Sequence, residues 1–246
     1  MTSDHVLAAR IATDAGQVLL GIRAEHAGTD PAVLKKAGDA GAQLAIAAAL
    51  AEARPDDSVL SEEAADDLNR LQASRVWIVD PLDGTREYSE EGRTDWAVHV
   101  ALWESGRIVA GAVALPALEV VFGTGEPPVV PPAYGGPLRL IVSRTRASAL
   151  VLAVAERLGA VTVPMGSAGA KAMSVVRGES EAYLHTGGQY EWDSAAPVAV
   201  AAAAGLHTSR VDGSPLTYNN EDPYLPDLLI CRPELAARML EAVAAL

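Results

Sequence analysis

The apolar run Val76-Trp77-Ile78-Val79 ends abruptly in Asp80-Pro81-Leu82-Asp83-Gly84-Thr85, and this junction constrains the fold more than any other stretch. A compact apolar run closed by turn residues reads as a strand. The hexapeptide then sits at the strand's carboxyl end, where α/β proteins place ligands. Pro81 fixes one backbone angle and Gly84 permits a tight turn. Asp80 and Asp83, three apart across that turn, can point at one spot, and a hard cation such as Mg²⁺ takes such oxygen ligands. A turn in which both aspartates only cap the strand end is the alternative.

The flanking pattern surrounds this strand with helices and an antiparallel sheet. Leu7, Ile11, Ala15, Val18 and Ile22 recur at helical spacing over residues 4–24. Gly28 to Gly38 reads as a loop carrying Lys35 and Lys36, and a helix is expected from Asp39, as N-cap, to Ala53. Ser58–Ser61 is a short strand. From Asp95 to Trp103 the residues alternate, with Trp96, Val98, Val100 and Leu102 on one face. Strands at Ile108–Leu115 and Val120–Phe122 complete an antiparallel meander.

The proline- and glycine-rich stretch from Glu126 to Gly136 is the expected domain boundary, giving an α+β unit at 1–136 and an α/β unit at 137–246. Beyond it, strands at Leu138–Val142, Val161–Val163, Ala182–Leu184 and Leu228–Cys231 alternate with expected helices at 147–158, 167–177 and 193–204. Pro233 opens a last helix. Helices with an antiparallel sheet first, then alternating elements, indicate a layered mixed fold.

Composition narrows the function. The 246 residues carry a net charge of −13 and no cluster of Lys and Arg, so nucleic acid is excluded as a partner. An anionic substrate would need local positive charge, for which metal ions are the obvious source. The single cysteine, Cys231, lies in an apolar run, so no intrachain disulfide forms. No N-terminal targeting pattern and no run of ~20 apolar residues is seen, so no membrane association is expected and the expected location is the cytoplasm. The histidines form no metal-binding pattern, and His99, alternating within a strand, reads as structural.

Two further acidic sites fall at element ends. Glu62-Glu63 follows the short strand at 58–61, and Glu191-Trp192-Asp193 opens the helix over 193–204. Singly, these are a solvated pair and an N-cap. Together with Asp80 and Asp83 they supply enough carboxylates for two divalent ions.

Glu62-Glu63, Asp80 to Thr85 and Trp192 to Ala196 stand in the order found in the inositol-monophosphatase-like superfamily of Mg²⁺-dependent, Li⁺-sensitive phosphatases, which the chain resembles over nearly its whole length. Arg86-Glu87-Tyr88, Val142-Ser143-Arg144, Gly166 to Lys171, Glu191-Trp192-Asp193 and Gly213 to Asn219 look most like the CysQ-type 3′(2′),5′-bisphosphate nucleotidases. The resemblance implies a layered αβαβα sandwich of the inositol-monophosphatase/fructose-1,6-bisphosphatase type. It implies that Glu62, Asp80 and the Leu82 carbonyl bind one Mg²⁺, that Asp80, Asp83 and Asp193 bind a second, and that a third ion sits near Glu62. Thr85 would orient the attacking water and Glu62 help activate it, Asp83 being counted with them as catalytic, and the backbone N–H groups of Gly84 and Thr85 would cradle phosphate. Arg86, Ser143, Arg144, Ser167, Lys171 and Glu191 would meet the rest of a phosphorylated nucleotide. The implied activity is hydrolysis of the 3′-phosphate of 3′-phosphoadenosine 5′-phosphate, and of its sulfated relative, in sulfur assimilation, with a homodimer compatible.

The chain departs from the family at one place. Relatives carry P-V-T-x-A-D after the loop lysine, whereas this chain has Gly38-Asp39-Ala40-Gly41-Ala42-Gln43-Leu44-Ala45. Either Asp39 supports the water-handling threonine, with Lys36 reaching the phosphate or a metal-bound water, or Asp39 only caps a helix. Inositol monophosphate or fructose 1,6-bisphosphate as substrate, and a phospholigand-binding protein without turnover, are the alternatives. An aspartyl-phosphate mechanism fails on spacing, because Pro81 stands where a second aspartate is required.

Overall fold

The computed structural model describes residues 2–246 and arranges them in five layers, αβαβα. The outermost layer is α1 (Asp4–Glu25) and α2 (Pro31–Ala53). They cover one face of a sheet built from β1 (Ser58–Ser61), β2 (Arg75–Asp83), β3 (Ala97–Glu104), β4 (Arg107–Leu115) and β5 (Val120–Gly123), in that order. β1 pairs parallel to β2 and the rest antiparallel, so the expected meander is present with one parallel strand added. The alternation in β3 is realised: Trp96, Val98, Val100 and Leu102 face α1 and α2, while Ala97 and Ala101 face the central layer.

The second sheet runs β7 (Val161–Met165), β6 (Arg139–Ser143), β8 (Ala182–Tyr190), β10 (Tyr224–Cys231) and β9 (His207–Ser209). Helices α5 (Ala168–Val176) and α6 (Glu191–Ala203) lie between the sheets, in one apolar cluster drawing on both. Helices α4 (Ala149–Leu158) and α7 (Ala236–Ala244) close the far side. A short helix, α3 (Thr85–Ser89), follows β2 directly. No described helix is long and apolar enough to cross a membrane.

The expected loop at Gly28–Gly38 is real only as far as Asp30. Asp30 is the N-cap, accepting from the Ala32 N–H at 2.7 Å, and Pro31 opens α2. Lys35, Lys36 and Asp39 are therefore helical, and Asp39 caps nothing. Gly38, which closed the expected loop, and Gly41 in the same helix serve close packing instead. A Cβ on Gly38 would lie 2.7 Å from the Tyr88 ring, and one on Gly41 would lie 2.3 Å from Ile22. Likewise, α6 begins two residues earlier than expected, so Asp193 sits in its first turn, where its carboxylate accepts from the Tyr190 N–H at 2.7 Å.

Candidate active site

The carboxyl end of β2, the start of α6 and the loop after β1 meet at one cavity of about 610 Å³. Glu62, Asp80, Asp83 and Asp193 all line it. One carboxylate oxygen from each of Asp80, Asp83 and Asp193 lies within 4.8 Å of the others. Three anions so close, two of them buried, repel one another, and the acidities record it. Asp80 is raised well above the usual carboxylate range by burial, then by Glu62, Asp83 and Asp193. Burial and Asp83 push Asp193 up to about 6. Glu62, at the solvent-exposed mouth, is raised to about 7 by desolvation and Asp193. An uncompensated oxygen cluster of this kind fits a divalent cation, which supplies the missing positive charge.

Asp83 behaves differently because the fold satisfies it. Burial alone would raise it, but His99, Lys171 and Ser167 outweigh burial and hold it below its ordinary value. Its Oδ2 accepts from the Ser167 hydroxyl at 2.5 Å and from the Gly169 N–H at 2.7 Å. His99 Nε2 lies 3.3 Å away from the same oxygen. The other ring nitrogen, Nδ1, donates to the Trp192 carbonyl at 3.0 Å. One buried imidazole thus spans from β2's end to the first turn of α6, the two elements that carry the triad. Reading His99 as merely structural missed this, because its partners lie far off in sequence. The space is exact enough to fix a neighbour: a Cβ on Gly169 would lie 2.1 Å from His99 Nε2.

Several residues expected at the substrate are committed elsewhere. The Ser167 hydroxyl is spent on Asp83, and its carbonyl accepts from Lys171 Nζ at 2.6 Å. Arg144 lines the cavity but pairs with Glu87 at 2.7 Å and Glu90 at 2.8 Å. Glu191 is buried, its carboxylate accepting from the Asn219 and Asn220 N–H groups at 2.7 and 2.8 Å, and it does not line the cavity. The Thr85 hydroxyl donates to the Leu82 carbonyl at 3.1 Å, which engages the two groups expected to handle water and metal. That carbonyl keeps a second lone pair.

Gly84, Arg86, Ser143 and Lys171 do line the cavity, and Lys171 is buried there with its pKa lowered by desolvation against the pull of Asp83. Asp39 is half-buried on α2 and raised to about 6, by burial first and Glu63 second. Among the described residues no hydrogen bond joins it to Thr85, and Lys36 is exposed outside the cavity.

Among the cavity residues that escaped the sequence reading, Arg146, Tyr190 and Tyr224 matter most here. Arg146 is exposed at the rim, and no described acidic side chain pairs with it. Tyr190 and Tyr224 also line the wall. A Val-Ser-Arg-x-Arg spacing at the end of β6 was the available signal for Arg146; nothing local marked the tyrosines.

The family model described as "Inositol monophosphatase family" matches residues 5–126 and 138–245, interrupted by the proline-rich stretch between the sheets. The chain belongs to the inositol monophosphatase family. It is 53% identical over 239 residues to the 3′-phosphoadenosine 5′-phosphate phosphatase of Mycobacterium tuberculosis, covering 94% of this chain and 90% of that protein. The Mycobacterium leprae protein of the same name is 50% identical over 253 residues, covering 98% and 93%. The 3′(2′),5′-bisphosphate nucleotidase CysQ of Escherichia coli is 32% identical over 201 residues, covering 77% and 81%. Among solved structures, CysQ from Bacteroides thetaiotaomicron superposes with a TM-score of 0.79 at 24% identity, covering 93% and 97%. An inositol monophosphatase from Anabaena superposes at 0.81 and 20%, covering 98% and 95%. The inositol monophosphatase family is one of metal-dependent phosphatases, and this member is an enzyme of that kind with an acidic triad suited to a metal.

Proposed function

We propose that this chain is a Mg²⁺-dependent phosphomonoesterase that removes the 3′-phosphate of 3′-phosphoadenosine 5′-phosphate and accepts the sulfated relative. The carrying observation is that one cavity holds the acidic triad together with Arg86, Arg146 and Lys171. A mono-phosphorylated polyol needs only the metal end. A second, uncleaved phosphate gives the additional cations a purpose. The names of the relatives at about 50% identity support the same substrate. The setting we assign is sulfur assimilation in the cytoplasm.

The residues present fit divalent ions, with Glu62, Asp80 and the Leu82 carbonyl as one donor set and Asp80, Asp83 and Asp193 as the other. When bound, such ions polarise the phosphoryl oxygens, lower the pKa of a water and neutralise the leaving oxygen. The protein's own part is positional. His99, Ser167 and the Gly169 N–H fix Asp83. The Tyr190 N–H fixes Asp193. Gly84, held at φ +86° where L side chains are strained, makes the turn into α3 at the cavity wall, where its N–H and that of Thr85 would serve as phosphate donors. Glu62, at the cavity mouth beside the triad, is placed to help activate the attacking water. Lys171 and Arg146 then hold the phosphate that stays.

Phosphate release from 3′-phosphoadenosine 5′-phosphate, inositol 1-phosphate and fructose 1,6-bisphosphate, with Mg²⁺ and with EDTA, tests the reading. The nucleotide should lead by kcat/KM and EDTA should abolish turnover. Faster release from either sugar phosphate overturns the substrate assignment. Binding without turnover would make the chain a phospholigand-binding protein.

A further inference from the structure

The cavity wall also carries a pair of tyrosines for whose side chains neither the metal chemistry nor the phosphate contacts have a use. The chain is only 4% aromatic, with six tyrosines. Tyr190 is 46% exposed and Tyr224 47% exposed, and both line the catalytic cavity. They are direct cross-strand partners between β8 and β10. Their rings meet edge to face, with centroids 6.1 Å apart and planes at 82°. Tyr190 in turn lies parallel on Trp192, 4.8 Å away and inclined by only 12°.

The backbone is shaped to hold this cluster. Gly188 adopts φ +90°, and a Cβ there would lie 2.4 Å from the Tyr224 hydroxyl, so glycine lets the strand press against that ring. The His185 ring pins the bend through its Nε2 contact with the Gly188 carbonyl at 3.0 Å. Side chains fixed in this way offer flat apolar surface at little further cost in conformational entropy.

We infer that Tyr190 and Tyr224 form the platform on which the substrate's nucleobase stacks, making them the residues that select a nucleotide over a sugar phosphate. This rests on the nucleotide reading of the pocket. A base is the one part of such a substrate that is flat and uncharged, and aromatic side chains bind it through its π-face. The arrangement supplies a preformed aromatic wall in the same cavity as the triad, while the charged groups of the substrate have the metal end and Arg146.

Competition against phosphate release decides it, using adenosine 5′-monophosphate and base-free ribose 5-phosphate as inhibitors. In the wild-type enzyme the nucleotide should inhibit at least about tenfold more tightly, as expected for one stacked base. Equal inhibition by the two overturns the inference without any variant. In Tyr224→Ala and Tyr190→Ala the ratio of the two inhibition constants should fall toward one, whereas Tyr224→Phe and Tyr190→Phe should keep it. A pair that merely braces the sheet would lower the melting temperature in the alanine variants and leave the ratio unchanged, which also overturns the inference. Failure of the nucleotide reading looks different: the wild-type enzyme would then prefer inositol 1-phosphate in the substrate panel, whatever the tyrosines do.

Discussion

The two ends of the active-site cavity are built on opposite principles. At the metal end, Asp80 and Asp83 are buried, and Asp83 and Asp193 are fixed by hydrogen bonds from Ser167, Gly169 and the Tyr190 backbone. At the substrate end, Arg86, Arg146, Tyr190 and Tyr224 are exposed or half-exposed. The difference teaches that the chemistry needs atoms held to a fraction of an ångström, whereas under our proposal selection among substrates would fall to the exposed charge and flat surface at the rim. Changes at the first end should therefore appear in kcat, and changes at the second in KM.

The largest effect tests the rigid end. Asp80→Asn or Asp193→Asn should lower kcat by about three orders of magnitude or more, read as phosphate release at saturating Mg²⁺. A loss confined to KM would break the comparison. Li⁺, competing for the same oxygens, should inhibit the wild-type enzyme at millimolar concentrations.

Next comes the contrast between two neighbouring arginines. Arg146→Ala should raise KM for the bisphosphate about tenfold, with little change in melting temperature. Arg144→Ala should instead lower the melting temperature, because it leaves buried Glu87 without its partner. Reversed outcomes would mean that Arg144 leaves its carboxylates when substrate arrives.

The metal-free enzyme gives a pH test with a definite sign. Asp193 and Glu62 have folded-state pKa values raised to about 6 and about 7, above those of free carboxyls. The native state therefore holds more protons than the unfolded state between roughly pH 4 and pH 7, and stability falls as pH rises through that window. Melting temperatures in EDTA should drop from pH 5 to pH 8, and Mg²⁺ should flatten the slope. A rising slope in EDTA would mean that the carboxylates are not clustered in solution.

His99→Leu should weaken Mg²⁺ binding, measured calorimetrically, about tenfold, since one ring orients both metal-bearing elements. The smallest effect is expected for Asp39→Asn. With no bond to Thr85, it should alter kcat less than about threefold. A hundredfold loss would instead show that Asp39 replaces the aspartate the family carries nearby.

Much of the rigid end was legible because its signals are local. Strand, turn and carboxylates follow one another within a few residues at Val76–Asp83, and Asp193 lies in the first turn of a helix. The helical start at Asp30-Pro31 was legible too, but Gly38 masked it by imitating the end of a loop, and only its contact with Tyr88 explains it. The substrate end was misread where partners are remote. Arg144 looked available until Glu87 and Glu90 arrived from another layer, and Ser167 until Asp83 did.

By itself, the sequence determined the succession of elements, the layered fold class and the identity of the acidic groups, because backbone periodicity and turn chemistry act over a few residues. Tertiary structure alone decided which cations are free, which hydroxyls are spent and where two tyrosines face the cavity. Those outcomes depend on contacts such as Ser167 to Asp83, 84 residues apart, which exist only once the layers have packed.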